Sequence, residues 1–145
     1  MTGLLLDTNA LSAMRRVDRD PVFASWLAAQ QSEQLHICAI TELELEHGVL
    51  VKERSDPAQG AVLRAWLTGV QAEFQHRTLP FDAACARVAA RIWLLRSRGY
   101  SDLLIAATAQ ANDMGVVTRN VRDFDDIPGL AVINPWRPRP GLPHE

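Results

Sequence analysis

Leu4-Leu5-Leu6-Asp7 is the stretch whose reading decides the fold. Three consecutive leucines with no polar alternation read as a short strand buried on both faces, and an aspartate closes it. The same pattern recurs outward along the chain. Leu35-His36-Ile37-Cys38-Ala39 is a second short buried strand, Gly115-Val116-Val117-Thr118 another, and Leu130-Ala131-Val132-Ile133-Asn134 the last. Thr78-Leu79-Pro80-Phe81 is a brief extended piece between them. Helical patterns fill the gaps. Residues 20–31 carry Asp20 as a cap and Pro21 in the first turn. Thr41-Glu42-Leu43-Glu44 opens a helix that continues to about Glu53. Asp56 and Pro57 start another, with Val62, Leu63, Trp66, Leu67 and Val70 at helical spacing. Asp82 begins a helix expected to run to Gly99, and Ser101 caps one that reaches about Asp113. Strands alternating with helices mean an α/β fold with a mainly parallel central sheet of about five strands. There is no internal repeat and no linker.

The 145 residues suit one domain. A chain of this size buries roughly two-thirds of its unfolded surface, so its core needs no staples. The 48% hydrophobic and 22% charged residues are an ordinary globular composition and argue against disorder. Cys38 and Cys85 are the only cysteines, too few for a disulfide scaffold, and no CxxC pair exists to hold zinc. No apolar run is long enough to span a membrane, and the N-terminus lacks the basic region of a signal peptide. The expected compartment is a reducing cytosol. A net charge of −2 advertises no global attraction for nucleic acid. The cations are nonetheless almost all arginine, fourteen against the single Lys52, and arginine grips phosphate in a bidentate way that lysine cannot.

In parallel sheets, ligands sit beyond the carboxyl ends of the strands. Asp7 ends the first strand, Glu44 lies in the first turn after the second, and Asp102 opens the helix before the fourth. Asn120 and Asp123 follow the fourth strand. Carboxylates converging on one point repel one another unless a cation joins them. Oxygen donors without a thiolate or imidazole cluster point to Mg²⁺ or Mn²⁺. Each residue also has a plainer reading. Asp7 could cap the following helix, Thr41-x-x-Glu44 fits a capping box, and Asp102 could be an acid favoured by the helix dipole. Helical phase places Glu44 on the flank of Leu43, His47 and Val51, beside the apolar face, with Glu42 and Glu46 turned away. Arg87, Arg91 and Arg98 fall within about 40° of one another on the Asp82 helix. That stripe is either a solvated face or a set of phosphate contacts along an RNA strand. His36, His47, His76 and His144 have no metal-ligand spacing, and no GxSxG, GxGxxG or P-loop occurs.

Leu4-Leu5-Leu6-Asp7-Thr8-Asn9 resembles the opening strand and "DTN" signature of PIN-domain ribonucleases. Ile37 through Gly48 is similar to the family's second block, whose register makes Glu44 the family glutamate. Ser101-Asp102-Leu103-Leu104-Ile105-Ala106-Ala107 resembles the third block, and Val117-Thr118-Arg119-Asn120-Val121-Arg122-Asp123-Phe124 the fourth. Asn134-Pro135-Trp136 resembles the ending of the VapC and FitB-like toxins. The resemblance implies a three-layer α/β/α domain over residues 1–136, with 137–145 as a Pro-rich tail. It further implies a Mg²⁺-dependent endoribonuclease, a homodimer, and pairing as a toxin with a small antitoxin that usually binds DNA. Asp7, Glu44 and Asp102 carry over as metal-site carboxylates, with Thr8, Asn9, Thr118 and Asn120 as supporting hydrogen-bonders. Many relatives have an aspartate where Asn120 stands, so either Asp123 supplies the fourth acid or none does. Two rivals follow. A haloacid-dehalogenase-like phosphatase also begins with an apolar strand and an aspartate, but it needs a second aspartate where Asn9 stands and a later lysine at a strand end. A catalytically weak interaction module on the same fold is kept open by Asn120.

Overall fold

The computed structural model describes residues 3–137. In chain order it comprises β1 (Leu4–Leu6), α1 (Thr8–Ala13), α2 (Pro21–Ala28), β2 (Leu35–Cys38), α3 (Ala39–Ser55) and α4 (Pro57–Glu73). Then come β3 (Thr78–Leu79), α5 (Ala83–Leu95), α6 (Tyr100–Ala111), β4 (Gly115–Val117) and β5 (Val132–Ile133). The five strands form one sheet in the order β3-β2-β1-β4-β5, parallel at every pairing. Leu5 lies between His36 and Val116 in the register, so β1 is the middle strand.

Side chains alternate across the sheet, and the core divides accordingly. Leu5 and Val116 face Val88, Ile92, Ile105, Ala106 and Ala109 of α5 and α6. Leu4, Leu6 and Val117 face Leu11, Val49, Leu67 and Val70 of α1, α3 and α4. The result is the expected α/β/α sandwich. Each fully buried leucine of β1 contributes about 1.5–3 kcal/mol, and burial on both faces explains why the strand has no polar side chain before Asp7. The alanines of α6 let that helix lie close on β1 and β4.

The strand order reverses between β1 and β4. The chain winds from β1 outward to β2 and β3, then returns to the other side for β4 and β5. The loops leaving β1 and β4 therefore diverge and leave a crevice at their carboxyl ends.

Three local expectations are corrected. α3 starts at Ala39, so Thr41 is inside the helix and buried rather than capping it. Its buried stripe is Ile40, Thr41, Leu45 and Val49, while Leu43 and Val51 are exposed. α5 stops at Leu95, not near Gly99, because Arg96 turns to extended backbone and sends its side chain to Asp126. The cap of α6 is Gly99, two residues earlier than expected, and Ser101 is free to bond elsewhere. The Pro-rich tail beyond Arg137 lies outside the described residues. Among the described residues no helix is long and apolar enough to cross a membrane.

Candidate metal centre

Four carboxylates meet at this crevice. Asp7 leaves β1 into a buried position and caps α1, accepting the Ala10 amide at 2.8 Å. The helix cap and the candidate ligand are thus the same residue. Thr118, buried just after β4, hydrogen-bonds its carboxyl. Burial pushes the Asp7 carboxyl above the usual carboxylate range, and the charges of Glu44 and Asp123 add to the push.

Glu44 points off α3 toward α1 and α6. Its Oε1 accepts the Thr8 hydroxyl at 2.5 Å and the Ser101 hydroxyl at 2.8 Å. The Thr8 and Thr41 hydroxyls lie 3.1 Å apart, which ties α1 to α3 under the carboxylate. The capping box is therefore not formed; Glu44 is held by hydroxyls from α1 and α6 instead. Glu42 and Glu46 face the other way, toward Gln71 and Arg64 of α4.

Asp102 occupies the first turn of α6. Its carboxyl is pushed up to about 6, first by burial, then by the negative charges of Asp123, Asp7 and Glu44, with a hydrogen bond to Asp123 acting the same way. Burial and three neighbouring carboxylates thus act on Asp102 in the same direction. Asp123 ends a short 3₁₀ turn, Val121–Asp123, and it, rather than Asn120, acts on both Asp7 and Asp102. Asn120 is exposed, and its backbone amide donates to the Thr118 hydroxyl at 2.9 Å. Asn9 is also exposed, in the first turn of α1.

The donor set is carboxylate oxygen throughout. Cys38 adjoins it, 3.9 Å from the Thr41 hydroxyl, but burial pushes its thiol up and keeps it neutral. Oxygen donors carrying surplus negative charge suit a hard divalent cation. Among the described residues, no three His, Cys, Asp or Glu side chains already stand in chelating positions. The carboxylates are gathered but not closed on a point.

The arginine stripe splits. Arg87 and Arg91 remain on the exposed face of α5. Arg98 lies beyond the helix with its side chain only 1% exposed, paired with Asp126, so it cannot present itself to RNA. The ion pair, not helical phase, decides where it points.

A family model described as PIN domain matches residues 4–130, which takes in all four acids. The chain belongs to the PIN domain family. Among relatives of this PIN domain, "VapC ribonuclease Y4jK" of Sinorhizobium fredii is 35% identical over 147 residues, covering 93% of this chain and 99% of that one. "Toxin FitB" of Neisseria gonorrhoeae is 32% identical, covering 92% and 98%. The crystal structure of FitAcB from Neisseria gonorrhoeae superposes with a TM-score of 0.80 at 32% identity, over 92% of this chain and 98% of that chain. The phosphatase rival loses its footing. Lys52, the lysine that chemistry requires, sits exposed in the last turn of α3.

Two parts of the PIN domain site were not legible beforehand. Ser101 reads as a helix cap and Thr41 as half of a capping box, yet their hydroxyls serve Glu44 and Thr8. Arg98 reads as a surface cation and is instead buried against the loop that carries Asp123.

Proposed function

We propose that this PIN domain is the toxin of a toxin–antitoxin pair and hydrolyses RNA phosphodiester bonds at a Mg²⁺ site. The observation that carries the reading is the convergence of Asp7, Glu44, Asp102 and Asp123 at the switch point, with Asp102 forced up to about 6. Relatives named as a VapC ribonuclease and as toxin FitB, alike over nearly the whole chain, support the same reading. Asp7 and Asp102 would hold the cation, with Asp123 and Glu44 completing its surroundings; Mn²⁺ would substitute. When bound, Mg²⁺ supplies an activated water and neutralises charge that builds on the phosphate oxygens. Glu44, fixed by Thr8 and Ser101, orients the attacking water or takes its proton. Thr118 and the Ala10 amide aim Asp7 and keep it from rotating away.

The partners follow from the same reading: an RNA substrate, a small DNA-binding antitoxin and a second copy of the chain. Trp93, Leu94, Leu95 and Tyr100, between 51% and 88% exposed, supply apolar surface for such an association. Sedimentation of the purified chain checks self-association. The site is tested by Asp7→Asn and Asp102→Asn, each expected to abolish Mg²⁺-dependent RNA cleavage with the fold intact. Cleavage by Asp7→Asn at the wild-type rate would rule this site out. A second reading, a metal-binding interaction module without turnover, is favoured by the amide at Asn120. Mg²⁺ binding by the wild-type chain with no RNA cleavage would establish it.

A further inference from the structure

Asp123 needs a support that its own backbone does not provide. It stands on a single 3₁₀ turn within the irregular segment between β4 and β5. One such turn has no rigidity of its own. Two apolar anchors, Phe124 and Ile127, hold the segment to the core. Gln110 of α6 donates to the Pro128 carbonyl at 2.8 Å, and a further anchor is ionic. Arg98 donates to the Asp123 carbonyl at 2.9 Å and grips both carboxylate oxygens of Asp126 at 3.0 Å. Arg96 donates to the Arg122 carbonyl at 2.8 Å and closes on Asp126 from outside. Both arginines belong to the connector that leads from α5 into α6, four to six residues before Asp102.

The clasp therefore joins the backbones that carry two of the site's carboxylates. We propose that Arg98, seconded by Arg96 and locked by Asp126, is a positioning residue that sets the separation of Asp102 and Asp123 across the site. This deepens the nuclease reading above and rests on it. The planar guanidinium is the group that can serve a carbonyl and a carboxylate together; a lysine ammonium has no such fork.

The clasp is a poor choice for stability alone. The Arg98 side chain is 1% exposed, and its buried Nε has no hydrogen-bond partner among the described residues. Enclosing a guanidinium with an N–H left over, against an aspartate whose side chain is 35% exposed, gains little over an apolar side chain of similar volume. Its use lies in where it holds the turn.

The test compares wild type, Arg98→Met, Arg98→Lys and Arg96→Met in three readouts. These are hydrogen exchange at the amides of residues 121–127, Mn²⁺ affinity by electron paramagnetic resonance, and RNA cleavage resolved into kcat and KM. Arg98→Met preserves volume and is expected to melt as wild type does. It should exchange faster at 121–127 alone, bind Mn²⁺ several-fold more weakly, and lose about tenfold or more in kcat with KM within about twofold. Arg98→Lys should recover part of the loss through its charge on Asp126. If Arg98→Met does not fold, Arg96→Met carries the test, since its side chain is 42% exposed. It should show the same changes at smaller amplitude. Wild-type exchange and kcat in a folded Arg98→Met would overturn the proposal, and so would a raised KM at unchanged kcat, which is the signature of an RNA contact. A wild-type chain that neither binds Mn²⁺ nor cleaves RNA would instead refute the nuclease reading, and with it any positioning role in cleavage.

Discussion

Asp102 shows what the site costs at the scale of one residue. Its folded carboxyl stands at about 6, above the ordinary 3.8 it regains on unfolding. Between those values the folded chain binds the extra proton, so stability falls as pH rises through the window. Above it the deficit is on the order of 1–2 kcal/mol once solvent screening is allowed for. Asp102→Asn should therefore melt higher than wild type near pH 7 without metal, and lose that advantage near pH 4. A melting curve at each pH, in chelator, checks the sign. Glu44 makes the second case. It is the glutamate of α3 that takes the Thr8 and Ser101 hydroxyls, while Glu42 and Glu46 serve α4. Glu44→Gln should lose about tenfold or more in cleavage rate, whereas Glu42→Gln and Glu46→Gln change it little. Side-by-side single-turnover rates decide it, and sensitivity at Glu42 instead would shift the assigned register by two.

At the scale of the element, the helical hairpin of α3 and α4 turns on one close approach. A Cβ added at Gly60 would stand 2.5 Å from the Glu53 Cα and 2.7 Å from its nitrogen, both backbone atoms that no rotamer change can move. The helices would have to part, and Arg64, which bridges Glu46 and Glu53 from α4, would lose its geometry. Gly60→Ala should therefore destabilise by about 1–3 kcal/mol. Gly69, in the same helix, has nothing within 4 Å of its added Cβ. Gly69→Ala should stabilise by about 0.4–1 kcal/mol, through helix propensity and a less free unfolded chain. Urea unfolding midpoints with equal slopes measure both. A gain at Gly60 would mean that the hairpin is looser than its packing indicates.

Across the whole molecule, charge is separated rather than abundant. Four acids share the crevice, and Arg87 and Arg91 lie exposed on α5, the helix that packs on α6. The net charge of −2 hides this arrangement. If an RNA backbone crosses α5 on its way to the acids, Arg87→Ala with Arg91→Ala should weaken RNA binding. The log–log salt slope should drop by about 0.7 for each lost contact. Mg²⁺ affinity should stay as it was, because neither arginine adds a donor. Unchanged RNA affinity across a salt titration would remove the phosphate role. Loss of antitoxin binding alone would assign the pair to that partner.

The five strands, most of the helices, the mainly parallel α/β class and Asp7 at the end of β1 were legible along the chain, whereas the three-layer form came from the resemblance and α1 was not among the expected helices. The legible parts rest on local rules: buried parallel strands are unbroken apolar runs, and helix starts are marked by Asp20, Asp56 and Asp82. The work of Thr41, Ser101 and Arg98 was decided only by tertiary contact. A threonine or serine near a helix start looks like a cap whether or not a carboxylate from another element needs its hydroxyl. An arginine one turn past the last apolar residue continues the helical stripe unless an aspartate 28 positions away draws it out. Such pairings depend on distances across the fold, which spacing along the chain does not encode. Asp123 follows the same logic. Spacing put Asn120 and Asp123 both after β4, and in the fold it is Asp123 whose charge acts on Asp7 and Asp102 while Asn120 stays exposed.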